Sequence, residues 1–178
     1  FKALDDKIKD GSIKDIESAK SLKAVTAVQG AEQWVLGDHA ENIFLVPEFN
    51  GDPFKAYDSK TISMKYADTY KAYTDMMLKY SEFADNGKGA VAYTYSSNAI
   101  PDLASGKVAV IQQGNWAYGE IAKISEDVAK NLTLLPMPIG GENQDAAMVS
   151  ILSQYWVVNK QASDAEKKAA KDFLNWLY

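Results

Sequence analysis

Ala104-Ser105-Gly106-Lys107-Val108-Ala109-Val110-Ile111-Gln112-Gln113-Gly114-Asn115-Trp116 is the stretch whose reading decides the fold. Ser105-Gly106-Lys107 turns the chain, and Val108-Ala109-Val110-Ile111 is an almost wholly apolar run of the kind found in buried parallel strands. A short helix is expected just before it, over 96–104, with Pro101 in its first turns. Gly114-Asn115-Trp116 follows at the strand's end, and helical rhythm resumes over 117–125. Helix, buried strand, loop and helix in succession make the class α/β.

Outward toward the N-terminus, the longest helix is expected over 64–83, with Ala67, Tyr70, Tyr73, Met77 and Tyr80 as its packing stripe and Asn86-Gly87-Lys88-Gly89 as its stop. Phe49-Asn50-Gly51-Asp52-Pro53 is loop chemistry. Residues 31–46 read as a helix covered on one side by Trp34, Val35, Ala40, Ile43 and Phe44, interrupted at Gly37-Asp38 and closed by Pro47. A strand-like patch spans 25–28, and Ile13 and Ile16 mark a short amphipathic turn. Phe1, Leu4 and Ile8 share one face of a first helix that Gly11 stops.

Outward toward the C-terminus, 132–135 reads as a strand. Pro136-Met137-Pro138 and Gly140-Gly141 then form the best linker candidate in the chain. Tyr155-Trp156-Val157-Val158 reads as a further strand. Ser163 with Glu166 is a capping box that opens a last helix through Ala165, Ala169, Phe173, Trp176 and Leu177, with Trp176 read as a core residue.

Composition bounds the function. The 178 residues are 47% hydrophobic and 24% charged, which is a folded profile, and no apolar run approaches a membrane span. Nineteen basic against twenty-four acidic residues give −5, and every basic residue is lysine. Without arginine's planar fork and without a basic footprint, nucleic acid is not expected as a partner. With no cysteine and one histidine, thiol nucleophiles, zinc–thiolate sites and multi-histidine metal sites are excluded. The chain opens in helical rhythm without Met or a signal peptide, so it is expected to be a piece of a longer, processed chain.

No catalytic motif stands out: there is no phosphate loop, nucleophile elbow or zinc-protease helix signature. His39, flanked by Asp38 and Glu41, has no serine nominated beside it, and a packing role is its plainer reading. Asn131-Leu132-Thr133 matches a glycosylation sequon, with Leu132 read as a strand residue. The aromatic placement says more. Trp116 follows a Gly-Asn pair where a buried strand ends, which is where open α/β sheets hold ligands. A flat apolar ring beside backbone N–H groups suits a sugar, whose C–H face lies on the ring while its hydroxyls meet polar groups. Trp34, among Glu32, Gln33, Asp38, His39 and Asn42, is a second aromatic with polar neighbours.

The run 104–116 resembles a signature of bacterial extracellular solute-binding proteins, the ligand receptors of ABC importers, in the carbohydrate-oriented, maltose-binding-protein-like family: F-x-x-G-K-x-A-M followed by G-x-W. Leu134-Leu135-Pro136-Met137-Pro138-Ile139-Gly140-Gly141 is similar to that family's l-P-m-P-g-g, and Trp156-Val157-Val158-Asn159-Lys160 precedes a helix similar to its A-x-x-F-x-x-W-L segment. Residues 34–42 resemble the helix that opens the family's second lobe. Leu103 stands for the usual phenylalanine and Val110-Ile111 for A-M.

The resemblance implies one lobe of a two-lobed periplasmic-binding-protein-like (type II) fold, a mixed sheet flanked by helices. On that basis 1–141 is mainly the second lobe, and 142–178 a strand and helix belonging to the other. It further implies binding without turnover, with no catalytic residue, metal or cofactor. The expected ligand contacts are Trp116, Asn115, Gly114, Trp34, Glu32, His39, Ser153 and Gln154. The expected partners are a carbohydrate and the permease's transmembrane subunits, with self-association through the surface left by a missing lobe. The expected location is extracellular, lipoprotein-anchored or periplasmic. A polyamine, phosphonate or peptide receptor of the same architecture, a glycoside-processing enzyme and a purely structural domain are the alternatives.

Overall fold

A computed structural model of the chain describes residues 1–137 and 156–178. Its centre is a parallel pair of strands, β1 (Ala24–Ala27) and β2 (Val108–Ile111), in register Ala24↔Val108, Thr26↔Val110 and Ala27↔Ile111. Thr26 also bridges in parallel to Ser81, so β1 has a neighbour on each side and all four of its residues are buried. Parallel pairing needs helical crossovers, and the chain between the strands supplies them. Every strand pairing among the described residues is parallel, so the expected mixed sheet is not what they form. β2 is also less covered than its apolar run suggests: Val108 is buried, whereas Ala109 is exposed.

The crossover holds α2 (Ala40–Glu48), α3 (Pro53–Asp58), α4 (Ala67–Lys79) and α5 (Ile100–Ala104). The expected break at Gly37-Asp38 is instead a wide π-helical turn, Val35–His39, that runs directly into α2. Pro47 does not close that helix, which continues one residue further to Glu48. α4 starts later than its periodicity suggests because Met64 takes φ 59° just before it, and it ends at Lys79. Its tyrosine stripe is packing, as expected: Tyr73 and Met77 are buried against Val28, Ala40 and Ala90, and Phe44 meets Tyr70 at 4.5 Å between ring centres. The expected helix at 96–104 is a π-helical turn, Tyr95–Ala99, continued by α5 with Pro101 in its first turn.

After β2 come α6 (Ala117–Ile124) and α7 (Glu126–Lys130), the latter capped by the Ser125 hydroxyl on Val128 N–H. Ile121, 1% exposed, anchors α6 in a cluster with Ile100, Leu103, Val108 and Ala129. α1 (Lys2–Asp10) ends as read, with Gly11 at φ 78° in the left-handed cap that a Cβ would strain. Of the amphipathic turn, Ile13 is buried and Ile16 exposed.

Three expectations fail at the C-terminal side. Residues 132–135 form no strand, and Leu134 and Leu135 are exposed. Trp156-Val157-Val158 is likewise irregular, with Trp156 and Val157 exposed and Val158 half-buried, while Tyr155 lies outside the described residues, as do Pro138, Gly140 and Gly141 of the linker candidate. An apolar tetrapeptide becomes a strand only when a sheet edge pairs its backbone. α8 (Asp164–Leu177) forms with its capping box intact, yet none of its residues is buried, and Trp176, read as core, is 78% exposed. Periodicity sets which face of a helix is apolar, not what covers it.

Two outcomes follow. A Cβ at Gly30 would stand 2.5 Å from the Ala90 carbonyl oxygen and 2.8 Å from its carbon. Because backbone on that side cannot swing away, Gly30→Ala should lower stability by about 1–3 kcal/mol in urea unfolding; an unchanged midpoint contradicts this packing. The Glu166 carboxyl is held below its ordinary 4.5 by bonds from the Ser163 hydroxyl and N–H. A carboxyl lowered on folding stabilises fully above 4.5, and the benefit is lost as pH falls through the folded value. Far-ultraviolet circular dichroism should therefore show an acid loss of helix that Glu166→Gln removes.

Candidate functional site

β1 and β2 end level with each other, at Ala27 and Ile111. The segments leaving those ends carry the aromatic and amide side chains, and they converge at the carboxyl edge where parallel sheets place ligands. Gln29, Glu32, Trp34 and His39 come from the first segment; Gln112, Gln113, Gly114, Asn115 and Trp116 from the second.

Trp116, 42% exposed, stands at the start of α6. Its indole lies over Gly114: a Cβ there would fall 2.2–2.6 Å from the ring atoms, so glycine is what lets the ring settle on the backbone. The His39 ring lies 5.5 Å from the Trp116 ring, tilted 52°, and 5.0 Å from that of Trp34, edge to face at 76°. Tyr95 continues the row, 5.8 Å from Trp34 at 74°. Edge-to-face contacts of this kind add about 0.5–1.5 kcal/mol per pair beyond burial. The π-helical turn before α2 is what carries Trp34 and His39 into one row.

Polar groups fix the rings. Trp34 Nε1 donates to Glu32 Oε2 at 3.1 Å, and the other Glu32 oxygen accepts from the Tyr95 N–H, also at 3.1 Å. Trp116 Nε1 donates to Gln113 Oε1 at 3.0 Å. Gln112 Nε2 meets His39 Nδ1 at 3.0 Å. Tyr95 donates its hydroxyl to Glu120 Oε1 at 2.7 Å, and burial, then that bond, pushes the hydroxyl above its ordinary 10.0, so it remains a donor at neutral pH. Both indole N–H groups are thus engaged within the protein, while Trp116 stays 42% exposed beside the exposed Asn115.

Of the residues named from sequence, Trp116, Asn115, Gly114, Trp34, Glu32 and His39 are gathered here. Asn115 is exposed, Glu32 and Trp34 are half-buried, and His39 is buried at 6% exposure between two rings. Ser153 and Gln154 lie outside the described residues. The sequence reading passed over Gln29, Gln112, Gln113, Tyr95 and Glu120. For Gln112-Gln113 a signal existed, two amides closing an apolar strand just before Gly-Asn-Trp; for Tyr95 and Glu120, distant in sequence, none did. A small apolar void beside Gln29, walled by Val28, Val35, Tyr73 and Met77, has room for about one water. Among the described residues no cluster of three His, Asp or Glu could hold a metal ion.

Over residues 2–178 the chain matches the family of bacterial extracellular solute-binding proteins, and it belongs to that family. No curated protein and no solved structure matches it. Members of this family are the extracellular solute-binding components of ABC transporters, working with a bound solute and the permease subunits. No described helix is long and apolar enough to cross a membrane.

The contact between Gly114 and Trp116 gives a direct test. Gly114→Ala should displace the indole from its seat and shift its fluorescence emission, read in a chain whose Trp156 and Trp176 are replaced by phenylalanine. Unaltered emission would show that the ring does not depend on the bare glycine backbone.

Proposed function

We propose that the solute is a carbohydrate, held against Trp116 and Trp34 of the aromatic row at the carboxyl edge of the parallel strands. The observation that carries this is the partly exposed Trp116 with its N–H already bonded to Gln113. A ring offered without its donor recognises an apolar surface, and the C–H face of a pyranose supplies one beside hydroxyls that can meet Asn115 and the Gly114 backbone. Both oxygens of Glu32 already accept internal bonds, which disfavours a polyamine that needs carboxylates free as counter-ions. The lack of arginine disfavours anionic solutes.

On this reading residues 1–141, with β1, β2 and α1 to α7, are mainly one lobe of a two-lobed type II receptor, entered through α1, and Ser153 and Gln154 approach the sugar from the chain returning to the other lobe. α8 belongs with that other lobe, a placement supported by the uncovered Phe173, Trp176 and Leu177. The work done is capture, not turnover. A ligand touching both lobes prefers the closed form, and the closed form is presented to the permease; contacts on one lobe alone shift nothing. His39, buried behind the rings, orients them, and Trp116, Trp34 and Asn115 touch the sugar. The receptor sits outside the membrane, in the periplasm or lipid-anchored to the cell surface.

A single lobe supplies only part of the contacts, so this chain should bind saccharides with a Kd near 1 mM, about −4 kcal/mol. Nuclear magnetic resonance titration with mono- and oligosaccharides should move the Trp116 and Trp34 indole signals, and Trp116→Ala should weaken binding at least tenfold. Shifts produced by spermidine or a peptide instead, or saccharide binding indifferent to Trp116, would sink the carbohydrate reading.

A further inference from the structure

The geometry points to Gln29 as the positioning residue for Trp116, acting through Gln113; its consequence for solute binding rests on the carbohydrate reading above. Gln29 stands two residues beyond the end of β1 and is 1% exposed, among the largest fully buried side chains in the described protein. A primary amide brings two donor hydrogens and an acceptor oxygen into the interior, and leaving them unmet is costly. Its Nε2 donates to the Gln112 carbonyl at 3.2 Å, and its Oε1 accepts from Gln113 Nε2 at 2.7 Å.

The second bond has a consequence at the surface. The oxygen and nitrogen of the Gln113 amide are fixed on one planar carbon, so anchoring the nitrogen inward on Gln29 directs the oxygen to the other side. There it accepts the Trp116 N–H at 3.0 Å. A glutamine without an anchor samples many rotamers, and ordering it costs side-chain entropy; Gln29 meets that cost from the buried side. The contacts close into a circuit. Gln29 holds the Gln112 backbone, the Gln112 side chain meets His39 Nδ1, the His39 ring lies against Trp116, and Trp116 returns through Gln113 to Gln29. A neutral amide thus ties the ends of both strands together and sets which part of the indole, face or N–H, is left for a ligand.

The test uses the full chain and the solvent exchange of its indole protons. Gln29→Leu keeps much of the volume and removes both bonds; Gln113→Leu, at a half-exposed position, breaks the same relay without placing a substitution in the core. Each should speed exchange of the Trp116 indole proton roughly tenfold. The Trp34 indole proton, held independently by Glu32, should not change. The double variant should be no faster than Gln113→Leu alone, since both act through one chain of bonds. Saccharide affinity should fall about threefold to tenfold in either variant. Unchanged Trp116 exchange, or Trp34 and Trp116 accelerating together in step with global unfolding, overturns the assignment. If the unsubstituted chain binds no saccharide, the carbohydrate reading fails, and the exchange rates still judge the positioning of Trp116 by Gln29.

Discussion

Parallel pairing of Ala24–Ala27 with Val108–Ile111 is the constraint on which the rest of the molecule depends. The register brings Ala27 opposite Ile111, so both strands end at the same height and the chain leaves them side by side. A shift of one residue would turn the four buried residues of β1 to the wrong faces, and the core they join would have to be rebuilt. Between the paired residues lie about eighty others, so the contact is strongly non-local, and closing that loop is repaid only once α4, α5 and α6 have packed. The level strand ends bring Gln29, Trp34 and His39 beside Gln112, Gln113 and Trp116.

What the site presents is decided by hydrogen bonds made behind it. Trp34 and Trp116 each have an N–H that water or a ligand could take, and the protein takes both, through Glu32 and Gln113. The carboxylates near the shelf are spoken for in the same way, Glu32 by two N–H donors and Glu120 by the Tyr95 hydroxyl. On the proposed reading, a surface rich in polar atoms meets a solute chiefly through ring surface, with Asn115 beside it.

α8 shows the opposite economy. Its capping box is complete and its apolar side chains recur at helical spacing, yet Phe173, Trp176 and Leu177 stand open. Leu134, Leu135, Trp156 and Val157 share that condition. Local propensity and capping suffice to form the helix, whereas burying its face requires a partner that neither propensity nor capping can specify.

Much of the molecule is legible in the sequence where the determinants are local. The α1 stop at Gly11, the strand at 108–111 (though not its full burial), the packing stripe of Tyr73 and Met77 and the Ser163–Glu166 box all follow from side chains within a few residues of one another. The failures share a cause: 132–135 and 156–158 have strand composition but pair with no sheet edge among the described residues, and Trp176 has a core residue's character without a core. By itself the sequence determined the class of elements and the candidates Glu32, Trp34, His39, Gly114, Asn115 and Trp116. Only the tertiary structure decided that they meet, that His39 is sealed between two indoles, and that Gln29 governs Gln113 from within. The physical reason is range: periodicity, caps and turns act over a few residues, whereas a hydrogen bond spanning eighty-four positions exists only after the strands have paired.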